Sequence, residues 1–391
     1  SVMTLPPTRA ARLTPAGRGA IAAVLVSGPA ATEIVDRLFA AANGRPLAEQ
    51  PPDRIVFGRW SGEELIVCRR GPQQIEVQCH GGSAAVEAVV HSLTEQGVAV
   101  ESWESHVQQA AGDRLAAEAW QALAQAQTER TALILLDQFH GALRREAERI
   151  CQAAAEGQVA TALANIDALL AQAHVGRHLV RPFRVVLAGR PNVGKSSLVN
   201  RLLGFGRALT SPVPGTTRDV VTATTALDGW AVELVDTAGL HEAGSQLEAQ
   251  GIERALAEID GADLVLLVHD ASTPPDRPPN IPPAAVIAGS RGGKLLEVWN
   301  KADLVPPAER PAPADRYVSA ASGAGLDHLA AEIGRHLVAV APEPGCGVPF
   351  IERHVLALEQ ARNLLAAGAS SAVSACLWEI VAGEPRSPAC Q

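Results

Sequence analysis

The sequence predicts an α/β domain inserted into an all-α helical domain and preceded by an α+β N-terminal domain. Short β-like runs and one helical pattern mix over residues 1–103, whereas residues 104–182 are rich in Ala, Leu, Gln and Glu. Strands alternate with helices over residues 183–341, as in βαβ units on a mostly parallel sheet. Helical patterns return over residues 342–391, and we expect them to pack on the first helical segment.

The individual elements follow from hydrophobic periodicity. Four runs of the N-terminal domain are predicted as strands: AIAAVLVSG, RIVFGRW, ELIVCRR and QIEVQC. The pattern SAAVEAVVHSLTEQG predicts a helix after them. In the helical domain, RTALILLDQFHGALRREAERICQAA and QVATALANIDALLAQAHVGRHL are each predicted as a long amphipathic helix.

Composition excludes some classes of protein. The hydrophobic fraction of 47% predicts a buried core, and the net charge of −9 argues against a nucleic-acid binder held by bulk positive charge. No run approaches the roughly 20 apolar residues that cross a bilayer, so we expect no membrane association. The six cysteines form no C-x-x-C pair, which indicates reduced thiols, no cysteine zinc site and a cytoplasmic location.

A phosphate-binding loop is predicted where the run FRVVLAG ends at Gly189. Residues 189–196 fit the pattern G-x-x-x-x-G-K-[ST], and a helical pattern follows. Such a loop turns backbone N–H groups inward while the helix N-terminus adds partial positive charge, so it binds a polyphosphate. We expect Lys195 to reach the β- and γ-phosphates and the Ser196 hydroxyl to bind Mg²⁺. The predicted nucleotide contacts in this loop are Asn192, Val193, Gly194, Lys195, Ser196 and Ser197.

A second motif, VWNKADL, selects the base. Asp303 can accept two hydrogen bonds from N1–H and the exocyclic amine of guanine, whereas adenine would leave the carboxylate unpaired. The aliphatic stem of Lys301 can lie along the base, and Asn300 can tie this loop to the phosphate loop. The backbone of Ser319 and Ala320 can meet guanine O6.

Two segments between these motifs can sense the γ-phosphate. Thr216 and Thr217 lie in PGTTRDV, where a threonine can meet Mg²⁺ and the γ-phosphate. The run VELVDTAGL places Asp236 for Mg²⁺ and the N–H of Gly239 for the γ-phosphate. All these motifs occur in order in one segment, which completes the prediction: an α/β P-loop GTPase domain inserted into the helical domain and binding GTP or GDP.

The sequence offers more than one residue that can position the attacking water. Leu240 follows DTAG, so no glutamine stands there to orient water. The next stretch offers three alternatives, which the residues alone leave open: Glu242, Glu248 and Glu253. The side-chain oxygen of Asn192, with carbonyls from residues 211–216, can hold a monovalent cation in the place of an arginine finger.

Six segments together resemble the MnmE/TrmE family of tRNA modification GTPases: GRPNVGKSSLVN, SPVPGTTRDV, DTAGLHEAGSQLEAQGIERA, NKADL, LTPAGRGAIAAVLVSGP and IEVQCHGG. The resemblance implies a homodimer whose G domains approach each other, with potassium as the activating cation. It implies modification of the tRNA wobble uridine together with an FAD-dependent partner protein. It also implies a tetrahydrofolate derivative, bound by the N-terminal domain, as the one-carbon donor.

The resemblance also assigns particular residues. Glu248 matches the position of the family's catalytic glutamate, and Arg18 in AGRGA matches an arginine of the folate domain's opening motif. The potassium ligands correspond to Asn192 and to the loop that contains Ser211, Val213 and Thr216.

Some positions depart from the family pattern. The sequence ends SPACQ instead of the family's Cys-Ile-Gly-Lys tail, the C-terminal helices are short, and Leu25 replaces an arginine. Gly71, Pro72 and Gln73 stand in a shortened loop where the family has Gly-Glu-Asp. These departures favour one alternative, a diverged paralogue that hydrolyses GTP without modifying tRNA. A regulatory GTPase of the ribosome-assembly type is the other alternative, and the segment AGRGAIAAVLVSG and the flanking helices argue against it.

Overall fold

The chain divides into two units, Ser1–Gly112 and Asp113–Gln391. The computed structural model describes residues 7–15, 19–205, 221–236, 259, 261–273, 294–310 and 313–382.

A mixed sheet forms the centre of the first unit. Its strands are β1 (Arg9–Arg12), β2 (Ile21–Ser27), β3 (Phe39–Ala41), β4 (Ile55–Trp60), β5 (Glu63–Gly71), β6 (Gln74–His80) and β7 (Ala99–Glu101). The order is β3-β4-β5-β6-β2-β1-β7, and neighbours are antiparallel except the parallel pair β1 and β7. The four strands that the sequence predicts are therefore confirmed as β2, β4, β5 and β6.

Three helices accompany this sheet, namely α1 (Ala31–Leu38), α2 (Ser83–Glu95) and α3 (Trp103–Ala110). Strand β4 alternates strictly between exposed and buried residues, since Val56 and Trp60 enter the core while Ile55 stays exposed. The buried indole N–H of Trp60 donates to Oγ of Ser92 on α2 at 2.8 Å, which joins helix to sheet. The α+β prediction is confirmed.

The second unit begins with helices α4 (Arg114–Leu123), α5 (Glu129–Phe139), α6 (Ala142–Ala155), α7 (Val159–Ala171) and α8 (Ala173–Arg177). The prediction of one long helix through RTALILLDQFHGALRREAERICQAA is wrong. The chain breaks at Gly141, whose φ of +86° lies in the left-handed region and suits glycine. The second predicted long helix is also divided, into α7 and α8.

A five-stranded sheet follows these helices. Its strands are β8 (Phe183–Ala188), β9 (Val221–Leu227), β10 (Trp230–Asp236), β11 (Leu264–Asp270) and β12 (Leu295–Asn300), in the order β12-β11-β8-β10-β9. All neighbours are parallel except β9, which is antiparallel to β10. Helices α9 (Lys195–Phe205) and α10 (Leu326–Leu337) accompany the sheet. Residues of β8 alternate between two separate hydrophobic clusters, so both faces of the sheet are covered.

The chain then returns to the first helices as α11 (Glu352–Ala366) and α12 (Ser370–Ala382). Helix α11 packs on α7, and α12 packs on α6 and α4. The side chain of Gln138 donates to the carbonyl oxygen of Cys346 and accepts from the N–H of Val348, both at 3.0 Å. Glu118 of α4 accepts from Arg353 at 2.5 Å and lies 3.1 Å from Nε2 of His354. The insertion of the α/β domain into a helical domain is confirmed.

Candidate nucleotide-binding site

The candidate site lies at one edge of the five-stranded sheet. Because β8, β10 and β12 are parallel, their carboxyl ends meet at this edge, where open α/β sheets bind ligands. Gly189 directly follows β8, while Asp236 and Asn300 are the last residues of β10 and β12. Three separate sequence motifs are thus brought to one place.

The loop after β8 needs its glycines for space as well as for conformation. Gly189 has φ +146° and Gly194 has φ +90°, where L side chains are strained. A Cβ at Gly189 would clash with the carbonyl oxygen of Val268, and one at Gly194 with Nδ2 of Asn300. The backbone of this loop therefore passes close to the neighbouring strands, and the G-x-x-x-x-G spacing has a steric cause.

Asn192 also adopts the left-handed conformation, with φ +64°. Asparagine is among the few non-glycine residues that tolerate this region. The structure therefore gives a backbone reason for an asparagine at the position to which the sequence assigns a potassium ligand.

Helix α9 begins at Lys195, directly after the loop. Its first turn leaves Ser196 and Ser197 exposed, whereas Val193 is buried. Backbone N–H groups at a helix start have no partner within the helix, and they favour an anion. This end of α9 therefore combines exposed serine residues with an anion-binding backbone.

The side chain of Lys195 is only 3% exposed. Its amine donates to the carbonyl oxygens of Gly189 and Arg190, both at 2.9 Å. Burial lowers the pKa of Lys195, against the opposing field of Asp236, which is itself buried. In this arrangement the amine is folded onto its own loop, and it must leave those carbonyls to reach a phosphate.

Asn300 joins the phosphate loop to the base loop, as the sequence predicts. Its amide nitrogen donates to the carbonyl oxygen of Val193 at 2.9 Å, and its Oδ1 accepts from the N–H of Ala320 at 3.0 Å. The side chain is 2% exposed. Since the N–H of Ala320 is already engaged, the predicted contact with guanine O6 requires that this hydrogen bond open or be shared.

Asp303 lies in a 3₁₀ turn, Ala302–Leu304, directly after β12. The residue is exposed, and Oγ of Ser319 donates to its Oδ1 at 2.5 Å. The N–H of Ser319 donates to the carbonyl oxygen of Ala324. The carboxylate is thus held at the sheet edge in an exposed position that a ligand can reach.

Lys301 is fixed by a residue that the sequence reasoning missed. Its amine lies 2.7 Å from Oδ2 of Asp270, the last residue of β11. Burial alone would raise the pKa of Asp270, but hydrogen bonds from Lys301 and Ser272 hold that pKa below its usual value. The sequence does contain one indication of this role, because the apolar run LVLLVHD ends in Asp270. The carboxyl end of a parallel strand lies beside the other site residues.

Several predicted site residues lie outside the described part of the chain, namely Ser211, Val213, Thr216, Thr217, Gly239 and Glu248. Arg18 also lies outside it. The segments AGRGA, which contains Arg18, and CHGG do meet, because the N–H of Gly81 donates to the carbonyl oxygen of Ala20 at 3.1 Å. A Cβ at Gly81 would clash with the carbonyl oxygen of Gly19, so this approach needs a glycine.

The fold and the site define a P-loop GTPase. Residues 184–288 match a family model described as 50S ribosome-binding GTPase, and residues 8–105 match one described as GTP-binding protein TrmE N-terminus. The tRNA modification GTPase MnmE of Symbiobacterium thermophilum is 33% identical, covering 92% of this chain and 88% of its own. The corresponding protein of Chloroflexus aurantiacus is 32% identical, covering 96% of this chain and 92% of its own. This chain belongs to the MnmE/TrmE family of tRNA modification GTPases.

Among solved structures, Era from Aquifex aeolicus bound to GDP·AlF4⁻ is 27% identical, covering 46% of this chain and 64% of its own with a TM-score of 0.30. Within the part of the chain that the structure describes, no helix is both long and apolar enough to cross a bilayer.

Proposed function

We propose that this GTPase acts in the modification of the wobble uridine of tRNA. One observation carries the proposal: relatives named tRNA modification GTPase MnmE match 92% and 96% of the chain at 33% and 32% identity. The similarity therefore spans the N-terminal, helical and nucleotide-binding parts together. We further propose that the protein works as a cytoplasmic homodimer with an FAD-dependent partner protein. A tetrahydrofolate derivative, bound near Arg18, would supply the one-carbon unit.

In this proposal, the chain's own residues hold the nucleotide from two sides. Backbone N–H groups between Gly189 and Ser196 receive the phosphates, and the amine of Lys195 turns from its carbonyl partners to the β- and γ-phosphates. Asp303 accepts from guanine while Asn300 fixes the spacing between the two loops. The exclusion of adenine follows because its Watson–Crick edge offers no donor pair to the carboxylate.

The oxygen donors at the sheet edge fit Mg²⁺, which prefers hydroxyl, carboxylate and water ligands. Ser196 offers an exposed hydroxyl at the start of α9, and Asp236 offers a carboxylate at the end of β10. Thr217 is the third proposed ligand. When bound, Mg²⁺ would neutralise charge that develops on the β- and γ-phosphate oxygens.

Hydrolysis is proposed to depend on Glu248 and on potassium. Glu248 would orient the attacking water, and Asn192 with Ser211, Val213 and Thr216 would hold the cation where transition-state charge develops. Steady-state GTP hydrolysis should be faster in potassium than in sodium at equal ionic strength. Equal rates in the two salts would remove the role given to the potassium ligands.

A matched pair of variants tests the glutamate. Glu248→Ala should abolish most turnover while leaving GTP affinity unchanged, whereas Glu253→Ala from the same segment should retain turnover. Loss of GTP binding in Glu248→Ala would show that the residue is structural, and retained turnover would show that another group positions the water.

The tRNA function is tested by mass spectrometry of wobble nucleosides. A strain that lacks this gene should lose the modified uridine, and wild-type protein should restore it whereas Glu248→Ala should not. Unchanged wobble nucleosides in the deletion strain would contradict the proposal, even if the purified protein hydrolyses GTP.

One observation favours a second candidate, a diverged paralogue or regulatory GTPase without modification activity. Strands β5 and β6 pair up to Gly71 and Gln74, so only Pro72 and Gln73 connect them. A tight hairpin thus stands where the resemblance implies a longer loop with Gly-Glu-Asp. This candidate predicts GTP hydrolysis without any change in wobble nucleosides and without binding of tetrahydrofolate.

A further inference from the structure

Two histidines and an aspartate meet where the helical segment enters the five-stranded sheet. His174 lies in α8, His178 directly follows that helix, and Asp263 directly precedes β11. One ring nitrogen of each histidine and one carboxylate oxygen of Asp263 lie within 4.8 Å of one another. The side chains of His178 and Asp263 are only 15% and 11% exposed.

The hydrogen bonds of His178 fix which of its nitrogens carries a proton. Nδ1 lies 3.3 Å from the carbonyl oxygens of both Arg181 and Pro182. A carbonyl oxygen can only accept, so Nδ1 must donate. In the neutral ring Nε2 then carries a lone pair and can only accept. That lone pair points at Oδ1 of Asp263, 3.4 Å away, and two acceptors at this distance need a cation between them.

Asp263 is held in place through its other oxygen. Oδ2 accepts from the N–H of Arg184 at 2.7 Å, and the N–H of Asp263 donates to the carbonyl oxygen of Arg184 at 2.9 Å. These two bonds leave Oδ1 facing the histidines. The ring of His178 is fixed as well, since it stacks on Phe183 with the ring centroids 3.9 Å apart.

His174 decides between a proton and a metal ion as the missing cation. Its Nε2 is buried and has no hydrogen-bond partner among the residues that the structure describes. A proton on His178 would satisfy the pair with Asp263 and leave Nε2 of His174 still without a partner among the described residues. A divalent cation would instead engage all three side chains, and buried polar groups are rarely left unsatisfied.

We propose that His174, His178 and Asp263 form a zinc site. Two imidazoles and one carboxylate are ligands that Zn²⁺ accepts, with a water completing four-coordination. Bonds of about 2.0–2.1 Å at tetrahedral angles place neighbouring ligand atoms ~3.4 Å apart. The separation between Nε2 of His178 and Oδ1 of Asp263 is 3.4 Å, so two ligands already stand at this spacing.

The site is separate from the nucleotide. Asp263 precedes β11, whereas Asp270 at the other end of that strand holds Lys301 of the base loop. Seven residue steps at about 3.3 Å each separate the two aspartates by roughly 23 Å. Zinc here would clamp the end of the helical segment to the opposite edge of the sheet, and its loss would not remove a nucleotide ligand.

Metal binding by untagged protein, stripped with chelator, tests the site directly. Calorimetry with Zn²⁺ alone should give one zinc per chain, and zinc should raise the melting temperature. Cobalt(II) should give the visible absorption of a tetrahedral site. His174→Gln should weaken zinc binding by about 100-fold or more, because it removes a ligand while breaking none of the hydrogen bonds described above. Asp263→Asn should weaken it too, while its amide oxygen can still accept from Arg184.

A second cluster provides the control. Asp315, His328 and Glu332 also lie close together, but the side chain of His328 is 44% exposed. His328→Gln should leave zinc stoichiometry and affinity unchanged. The proposal is overturned if the wild type takes up no stoichiometric zinc, or if His174→Gln binds zinc as tightly as His328→Gln does. Either result would leave an imidazolium–carboxylate pair as the explanation of the 3.4 Å contact.

Discussion

The side chain of Asn300 connects the phosphate loop to the base loop through hydrogen bonds to both. Replacing it by alanine is therefore the most informative test of how the two loops are coupled. Asn300→Ala breaks the 2.9 Å bond to the carbonyl oxygen of Val193 and the 3.0 Å bond from the N–H of Ala320. The asparagine is 2% exposed, so water has little access to the carbonyl oxygen of Val193, whereas the N–H of Ala320 is only partly buried. The variant also leaves a gap beside Gly194, which contacts the amide.

The expected magnitude follows from the two unsatisfied groups. Each buried donor or acceptor that loses its partner costs about 1–3 kcal/mol, so two together cost about 2–4 kcal/mol when one is partly solvated. This cost divides between the free energy of unfolding and the free energy of nucleotide binding. If all of it falls on binding, GDP affinity drops roughly 30- to 700-fold, at about 1.4 kcal/mol per tenfold.

Urea unfolding of the nucleotide-free protein measures the change in the free energy of unfolding. Calorimetry with GDP measures the change in the free energy of nucleotide binding. Asn200→Ala is the matched control, because Asn200 is an exposed asparagine on α9. We expect the control to lie within about 0.5 kcal/mol of wild type in both assays. If Asn300→Ala also matches wild type in stability and in GDP affinity, the two loops are not coupled through this side chain.

Two further predictions concern stability. Gly81→Ala should destabilise the first unit by about 1–3 kcal/mol in urea unfolding, because its Cβ meets the backbone of Gly19, whereas Gly82→Ala, with open space around it, should be nearly neutral; equal effects would contradict the close approach. Burial alone would raise the pKa of Glu118, but hydrogen bonds from its partners on α11, including His354, hold that pKa below its ordinary 4.5. This stabilisation is complete above about pH 4.5 and is lost as pH falls through the folded-state pKa, so Glu118→Gln should flatten the acid limb of stability measured against pH; an unchanged slope would refute the assignment.

Local patterns carry the prediction of the two loops that meet at the candidate nucleotide site. The buried run before Gly189, the glycine spacing and the N-K-x-D motif each act over a few residues, so their geometry follows from sequence alone. The tie through Asn300 was also predictable, because the carboxyl ends of parallel strands meet at one edge. The hydrogen bond that engages the N–H of Ala320 was not, since it depends on the rotamer of a residue twenty positions earlier.

The wrong prediction of one long helix through Gly141, and the contacts that the sequence did not predict, have identifiable physical causes. An isolated glycine inside a helical pattern is often tolerated, so Gly141 gave no decisive sign that it would end α5. The contact between Gly81 and Gly19 and the meeting of His174 with Asp263 join residues far apart in sequence. No periodicity encodes such contacts, because they arise only once the strands are ordered in their sheets.

The central claim is that Asp303 reads a guanine nucleotide whose phosphates lie on the loop after Gly189. Calorimetry with Mg²⁺ and GDP or XDP on Asp303→Asn tests it most directly, with Asp327→Asn, an exposed aspartate of α10, as control. Two hydrogen bonds to a charged acceptor are worth about 1.5–3 kcal/mol each, so we expect the variant to lose roughly 100-fold or more in GDP affinity and to gain binding of XDP. An unchanged preference for GDP in Asp303→Asn would contradict the account.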